Sequence, residues 1–509
     1  MKKSIKAILS GILVGAMAFA FAGCGASCSS CSSCSSCAPG EQPGPGGPGG
    51  SDSLTTYQIA DYLARGADAH YATYDSEGNV AVAGYYNALE GGTDGYANCY
   101  EYGALIGMAN RMYDVSEGEN KAYYKKLLDG YIAGLDYFDG KGNITSTHGK
   151  RQWEHIYGVH RADYKFAGSV EGDMMVYDDL MWLARYFIEG YSYNPTETTY
   201  LQKAEYLTKV CLDGWDSTKN GVGGITWGPA YATKHACSNG PILSVLGGLA
   251  EVYKDSDALV TAEDTVYVEQ TFGHNNVEWK NWVGEKKYDY YLHWLQTIYD
   301  WCWSTLRSSD YCYIDLRGDK STVIESVEAT GGAYLKFEGK LDAGSAAKYT
   351  YNTGSVLSGA AWLYRLTGDE QYLQQGRLMA EGSYHRFVKT VKDTDGKEHQ
   401  MYECTSSLLF NSVLLQGYVE LADAVKKVAP AEKDSIIKNE INTYVGVFKS
   451  SINYAFDNHL LNRSLPQNYI QGWLYGENTM DTHKDVKDAA ATPEMLAIIV
   501  QYEKNHGTI

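Results

Sequence analysis

VLSGAAWLYRLTGDEQYLQQGRLMAEGS, residues 356–383, joins two different kinds of helix through a three-residue turn. The first half, VLSGAAWLYRL (356–366), is apolar or small on nearly every side. The second half, EQYLQQGRLMAEGS (370–383), carries one apolar stripe among polar residues. A helix that is apolar all round must be surrounded by protein, whereas a helix with one stripe can cover it from outside. Small residues such as Gly359 and Ala360 let neighbouring backbones approach closely.

The same alternation recurs along the chain. ALIGMANRMY (104–113) leads to KAYYKKLLDGYIAGL (121–135), and LMWLARYF (180–187) leads to TTYLQKAEYLTKVCL (198–212). PILSVLGGLAEVY (241–253), with Gly247 and Gly248, leads to a longer and less clear partner. LLFNSVLLQGYVELA (408–422) leads to EKDSIIKNEINTYVGVF (432–448). Two of the outer segments even share Tyr-Leu-Gln, at 200–202 and 372–374. Repeated αα-hairpins of this kind stack their inner helices into a common core. A superhelical array and a closed ring both satisfy the pattern, and the irregular spacing favours the ring. Residues 311–349 interrupt it: YCYIDL and AYLKFEG alternate like short strands and predict an inserted β-hairpin or long loop. The acidic turns at 75–79, 139–143 and 393–397 lack the terminal bidentate Glu of a calcium loop and read as ordinary turns.

The ends of the chain divide differently. Lys2, Lys3 and Lys6 precede an apolar run from Ala7 to Ala22, which has the layout of a secretory signal. Phe21-Ala22-Gly23-Cys24 resembles a bacterial lipobox, which implies lipidation at Cys24 and a protein exported and anchored to the cell membrane, facing outside the cytoplasm. Residues 1–23 are thus expected to be a lipoprotein signal peptide. Residues 24–54 contain Cys28, Cys31, Cys34 and Cys37 among Ser, Gly and Pro, and cannot bury a core, so they read as a flexible tether. Residues 55–509 form one catalytic or binding domain, since no second Pro/Gly/Ser-rich linker follows. Cys99, Cys211, Cys237, Cys302, Cys312 and Cys404 are scattered without metal-ligand spacing, which suits small buried hydrophobes.

The formal net charge is −19. No Lys/Arg cluster stands out, which argues against nucleic acid, whose binding requires cations on phosphates, and against a polyanionic substrate. The 44 Tyr and 11 Trp supply flat apolar faces with polar tips. They suit a neutral ligand bearing both C–H faces and hydroxyls, such as a sugar.

Polar and aromatic residues precede each apolar segment. Before the first stand Tyr96, Asn98, Tyr100 and Glu101; before the third, Trp227, Lys234, His235, Ser238 and Asn239. Tyr351, Asn352 and Thr353 precede the fourth, and Glu403, Ser406 and Ser407 the fifth. Parallel inner helices would gather these mouths at one end. N-capping is the competing account for the Asn, Asp, Ser and Thr residues, although it leaves the aromatics unexplained.

Asp178 and Asp179 stand side by side before the second segment. One Asp would suffice for a cap, and the helix dipole helps an acid there by only about 0.3–1 kcal/mol. Two adjacent carboxyls repel and titrate as a coupled pair, one of them high. That suits one ionised nucleophile and one proton donor. Retaining glycosidases hold their carboxyls about 5–5.5 Å apart, inverting ones about 6.5–9.5 Å. Adjacency on one helix meets the shorter distance, so the pair points to retention through a covalent glycosyl-enzyme.

With these residues in place, the chain resembles glycoside hydrolase family 76, the endo-α-1,6-mannanases. The likeness is an ordered set: Tyr177-Asp178-Asp179-Leu180-Met181-Trp182; Gly223-Gly224-Ile225-Thr226-Trp227; Lys234-His235-Ala236-Cys237-Ser238-Asn239-Gly240; and Tyr351-Asn352-Thr353-Gly354 ahead of Thr367-Gly368-Asp369. The resemblance implies an all-α, closed (α/α)6 barrel of six hairpins, here with a small β-hairpin insertion. It implies a retaining hydrolase of α-1,6-mannosidic linkages in mannan, with no cofactor and no metal. By position, Asp178 matches the nucleophile and Asp179 the general acid/base. Tyr177, Trp182, Trp227, Asn239, Tyr351 and Asn352 are the expected cleft wall. Cys237 departs from the small or apolar residue expected there. The rival expectations are a non-catalytic surface glycan-binding lipoprotein, which does not need the paired aspartates, and another helical-barrel glycosidase or a lyase.

Overall fold

The computed structural model describes residues 50–87, 91–146, 149–160, 175–215, 223–228, 233–265, 281–317, 323–327, 332–336, 346–393, 395–431, 433–465 and 483–509. The lipobox and the cysteine-rich tether lie outside them. Among the described residues the chain runs through twelve helices of more than ten residues. They are α1 (Thr56–Tyr71), α2 (Cys99–Val115), α3 (Gly118–Gly134), α4 (Tyr177–Tyr193), α5 (Thr198–Leu212), α6 (Pro241–Tyr253), α7 (Lys287–Thr305), α8 (Thr350–Thr367), α9 (Glu370–Phe387), α10 (Leu408–Val428), α11 (Asn442–His459) and α12 (Val486–His506).

The even-numbered helices form a closed inner ring. Each packs on the next, from α2 through α4, α6, α8 and α10 to α12, and α12 returns to α2. The odd-numbered helices lie outside, with α3 on α2, α5 on α4, α7 on α6, α9 on α8 and α1 on α12. This is the expected (α/α)6 barrel. Burial follows the sequence reading. α8 is buried from Thr350 to Ala361 without a break, whereas α9 buries only Tyr372, Leu373, Gly376, Met379, Ala380, Ser383 and Phe387, a single stripe. The turn between them is set by Gly368, in the left-handed region at φ 72°, and by Asp369, whose side chain accepts from the Gln371 N–H at 2.9 Å.

Small residues bring the inner helices together where expected. A Cβ on Gly354 would stand 2.6 Å from the Leu414 Cα and 2.6 Å from the Val413 carbonyl, both backbone atoms of α10. Neither can swing aside, so Gly354→Ala is expected to destabilise the protein by about 3 kcal/mol, read as a lower midpoint in denaturant unfolding. Away from the N-terminal end of the ring, the buried Arg111 of α2 ties three other inner helices. It donates to Glu189 of α4 at 2.7 Å, to Gln416 of α10 at 2.6 Å and to Gln501 of α12 at 3.1 Å.

Strands decorate this barrel as hairpins. Val323–Val327 pairs antiparallel with Gly332–Lys336, the expected insertion. YCYIDL is mostly irregular; only its end joins a short strand, Leu316–Arg317, that pairs with Lys234–His235. Asp139–Ser146 pairs with Gly149–Tyr157 in a long hairpin that lies against Gly332–Lys336. The 75–79 and 393–397 segments are turns, in which Asp75 and Asp393 accept from nearby backbone N–H groups.

Candidate active site

The N-terminal ends of four inner helices meet at a cleft of about 440 Å³. α2 contributes Asn98 and Tyr100, α4 contributes Asp178, Asp179 and Trp182, α8 contributes Tyr351 and α10 contributes Phe410. Aromatic faces form the walls: Tyr351 lies against Phe410 with ring centroids 4.3 Å apart, and Tyr100 against Trp182 at 6.3 Å.

Capping accounts for some of these mouths and not for the aspartates. Asn98 and Glu101 form a reciprocal capping box on α2, each accepting the other's backbone N–H at 3.0 Å. Ser407 caps α10. The residue at the cap of α4, however, is Val176, and no side chain caps that helix. Asp178 and Asp179 lie inside its first turn with both side chains on the cleft.

The two carboxyls differ in their surroundings. Asp178 Oδ2 accepts from Trp227 Nε1 at 3.1 Å, and its Oδ1 accepts from the Asp179 backbone N–H at 3.0 Å. The Cys237 thiol is also hydrogen-bonded to it. Burial raises its pKa, and these donors oppose the rise. Asp179 is 7% exposed, and among the described residues no group donates to its carboxyl. Burial, then the charge of Asp178, then that of Glu101 push its pKa well above the ordinary range. One acid is thus supplied with donors that favour its ionised form, and its neighbour is left to keep a proton.

That proton has a stability consequence. A carboxyl whose folded pKa is raised stabilises the fold below its unfolded pKa, about 3.9, and loses that contribution as pH climbs through the folded value. Asp179→Asn removes the loss. The variant is expected to melt about 1–3 °C higher than wild type at pH 7, with the difference closing near pH 4, as read by calorimetry across pH.

The loops behind the cleft explain the remaining motifs. Gly223 and Gly224 both take positive φ, 77° and 82°, and a Cβ on Gly224 would meet the Trp301 ring at 2.5 Å. Asn239 Oδ1 accepts from the Ile225 N–H at 2.7 Å, while its Nδ2 donates to the Ile225 and His235 carbonyls, each at 2.9 Å. Ser238 donates to the Ile225 carbonyl at 3.0 Å, and the buried Lys234 donates to the Gly223 carbonyl. These contacts knit residues 223–228 to 234–240. Together with the Tyr177 N–H on the Trp227 carbonyl at 2.9 Å, they carry the indole to Asp178.

Three expected wall residues are therefore corrected. Tyr177 is fully buried beneath α4, its ring so close to Gly214 that a Cβ there would meet it at 2.4 Å. Asn239 is fully buried as the brace just described. Asn352 is fully buried, with Nδ2 donating to the Tyr313 carbonyl at 3.4 Å. Tyr177 and Asn352 turn inward although their neighbours Asp178 and Tyr351 face the cleft. Trp182, Trp227 and Tyr351 do line it. Reading the sequence for wall residues missed Phe410, Val159 and His160, and also Asp315, which accepts from the Tyr351 hydroxyl at 3.2 Å. Phe410 sits in an apolar run, and His160 follows the hairpin in a stretch with no motif, so neither carries a local signal. His235 also lines the cleft, and burial lowers its pKa to about 4, so it is neutral above that pH. Among the described residues no group of three or more His, Cys, Asp or Glu is placed to hold a metal ion.

The comparisons with known proteins agree with this geometry. Three solved structures share the fold. One is the family 76 mannosidase Bt3792 from Bacteroides thetaiotaomicron VPI-5482, at TM-score 0.64 and 19% identity, covering 89% of this chain and 100% of that one. A family 76 glycoside hydrolase from a bovine Bacteroides thetaiotaomicron strain matches at 0.62 and 19%, covering 89% and 79%. The third is an inactive variant of the α-1,6-mannanase GH76A of Salegentibacter sp. HEL1_6, with two consecutive aspartates changed to asparagine, in complex with α-1,6-mannotriose. It matches at 0.54 and 16%, covering 88% and 100%. Among curated proteins no sequence matches. The sequence model of Glycosyl hydrolase family 76 matches residues 147–282 and 284–492, more than half the chain and the whole run from the aspartate pair to the start of the last inner helix. The chain belongs to glycoside hydrolase family 76, and it is a glycoside hydrolase built on an (α/α)6 barrel.

Proposed function

We propose that this hydrolase cleaves α-1,6-mannosidic linkages in mannan with retention of configuration. The observation that carries the mechanism is the unequal carboxyl pair on one helix turn: Asp178 with donors from Trp227, Cys237 and the backbone, Asp179 with none among the described residues, both on the same aromatic cleft. Asp178 attacks the anomeric carbon of the bound mannosyl unit. The bond from that carbon to O6 of the next sugar breaks, and Asp179 gives its proton to the departing O6. Asp179, now ionised, takes a proton from water as the water attacks the same carbon, and Asp178 leaves as a carboxylate. Two like charges at one site make the second ionisation costly, which keeps the acid protonated until the leaving oxygen needs it.

The substrate is supported by chemistry and by likeness. An acidic protein with Tyr351, Phe410, Tyr100 and Trp182 around the cleft suits a neutral sugar chain. The Salegentibacter protein, whose complex holds α-1,6-mannotriose, shares the fold. A time course of products from unbranched α-1,6-mannan, run beside α-1,2-, α-1,3- and β-1,4-mannans, tests the reading. Shortened products from the α-1,6 chain alone are expected. Binding without cleavage by a well-folded sample would favour the glycan-binding alternative.

The lipobox supports a place for the reaction. Cys24, acylated after removal of residues 1–23, would hold the barrel on the outer side of a membrane through the 24–54 tether. Cys24→Ala is expected to release the protein into the soluble exported fraction; a variant still bound to membranes would contradict the anchor.

A further inference from the structure

Cys237 breaks the pattern of the motif around it. Lys234, Ser238 and Asn239 are engaged with backbone carbonyls, yet Cys237 turns into the cleft beside Asp178. Its thiol is hydrogen-bonded to the Asp178 carboxyl on one side and lies beside the Tyr351 hydroxyl on the other. Tyr351 donates its own proton to Asp315 Oδ1 at 3.2 Å. With the phenol proton directed at Asp315, the S–H proton is left for Asp178. We propose that Cys237 is a positioning residue for the hydrolytic reaction, its thiol holding the Asp178 carboxylate ionised and aimed at the sugar. The inference rests on the reading of Asp178 as the nucleophile.

The surroundings keep the proton on sulfur. Burial pushes the Cys237 thiol well above its ordinary range, and the nearby Asp178 and Asp315 carboxyls add to the rise. Thiols react as thiolates, which form beside cations and helix N-termini and not beside carboxylates. Cys237 therefore acts as a donor across the working range of pH. Serine can replace it in that role; alanine and valine cannot.

The groups facing Asp178 from the elements around it can be separated from this effect. α2 presents Cys99 and Tyr100, α5 presents Cys211 and α8 presents Tyr351; burial raises all four, so none changes charge on the acid side. Asp179 shares its helix, and Glu101 acts on Asp179. His235, Asp315 and His160 stand on the neighbouring loops. These groups are common to wild type and variants, so a difference between their pH profiles reports the residue at 237.

The test is the pH dependence of kcat/KM on unbranched α-1,6-mannan fragments for wild type, Cys237→Ala and Cys237→Ser. Loss of one donor is expected to move the acid limb of the alanine variant up by about half a pH unit and to lower kcat about 3- to 10-fold. KM should change little, and serine should return the limb towards wild type. A folded alanine variant whose limb coincides with wild type would overturn the proposal. So would a serine variant shifted as far as alanine, because the thiol would then merely fill space. If alanine prevents folding, Cys237→Val fills the volume without a donor and the same comparison holds. If wild type cleaves no α-1,6-mannan, the substrate reading fails separately. Carboxyl ¹³C NMR titration of Asp178 without substrate then decides: a higher pKa in the variant supports the contact, and equal values refute it.

Discussion

Asp178→Ala is expected to lower kcat/KM on α-1,6-mannan fragments by about 10⁴-fold or more while leaving the fold intact. On the proposed mechanism the loss is large because an Asp178 carboxylate oxygen forms the bond to the anomeric carbon in the first step. Among the described residues Asp179 lacks the donors that Asp178 has, and the thiols of Cys99, Cys211 and Cys237 are pushed upward by burial and stay protonated. The fold survives because Asp178 is not the cap of α4. Its removal frees the Trp227 Nε1–H and one first-turn N–H at the edge of an open cleft, where water can reach them. The space left by the carboxylate admits a small anion. Azide with an activated aryl α-mannoside is expected to restore turnover and give β-mannosyl azide, seen by NMR. Unchanged rates in this variant would remove Asp178 from the chemistry.

Asp179→Ala has a different expected signature. In the proposed acid/base role, its proton is needed only where the leaving oxygen is a poor leaving group. The variant should therefore lose about 10²–10⁴-fold on mannan fragments and much less on an aryl mannoside that leaves without help. With the activated substrate the mannosyl-enzyme should accumulate, because the base that activates water is gone. Azide should then speed turnover and give the α-mannosyl azide. The opposite azide anomers from the two variants distinguish the roles of two adjacent, chemically identical side chains. The same anomer from both would show that the roles have been assigned wrongly.

Much of the barrel is legible in the sequence because burial writes itself into composition. VLSGAAWLYRL has no polar face to show to water, and EQYLQQGRLMAEGS has one, so inner and outer helices separate by inspection. Four hairpins can be read whole this way, and a fifth by its inner helix, PILSVLGGLAEVY (241–253). The sixth is hidden because its halves lie at opposite ends of the domain: α1 covers α12, which closes the ring onto α2. The long hairpin of 139–157 is hidden too: DGKGN (139–143) reads as an acidic turn, whereas it lies in the hairpin's first strand. Its residues are mixed, and its partner hairpin at 323–336 is distant in sequence.

The site was legible to the level of motif and not to that of side-chain direction. The aspartate pair stands out because one acid would serve a helix start and a second beside it adds repulsion, and the cap position of α4 is held by Val176 instead. Tyr177, Asn239 and Asn352 have the right chemistry for a sugar and the wrong orientation. A residue one position along a helix turns by about 100°, so Tyr177 points beneath α4 while Asp178 faces the cleft. Asn239 looks like a ligand-binding amide until its three backbone contacts are counted. Cys237 carries the opposite lesson: it stands out in sequence only as a departure from the small or apolar residue expected there, and it lines the cleft beside Asp178.

The proposed division of nucleophile and acid/base roles between Asp178 and Asp179 spans one mannosyl unit. Its most direct test is ¹H NMR of the anomeric region during the first minutes of cleavage of unbranched α-1,6-mannan, before mutarotation. The α-anomer of the new reducing end should appear first, with the β-anomer growing in later. A β-anomer as the first product, or no new reducing end at all, would contradict the account.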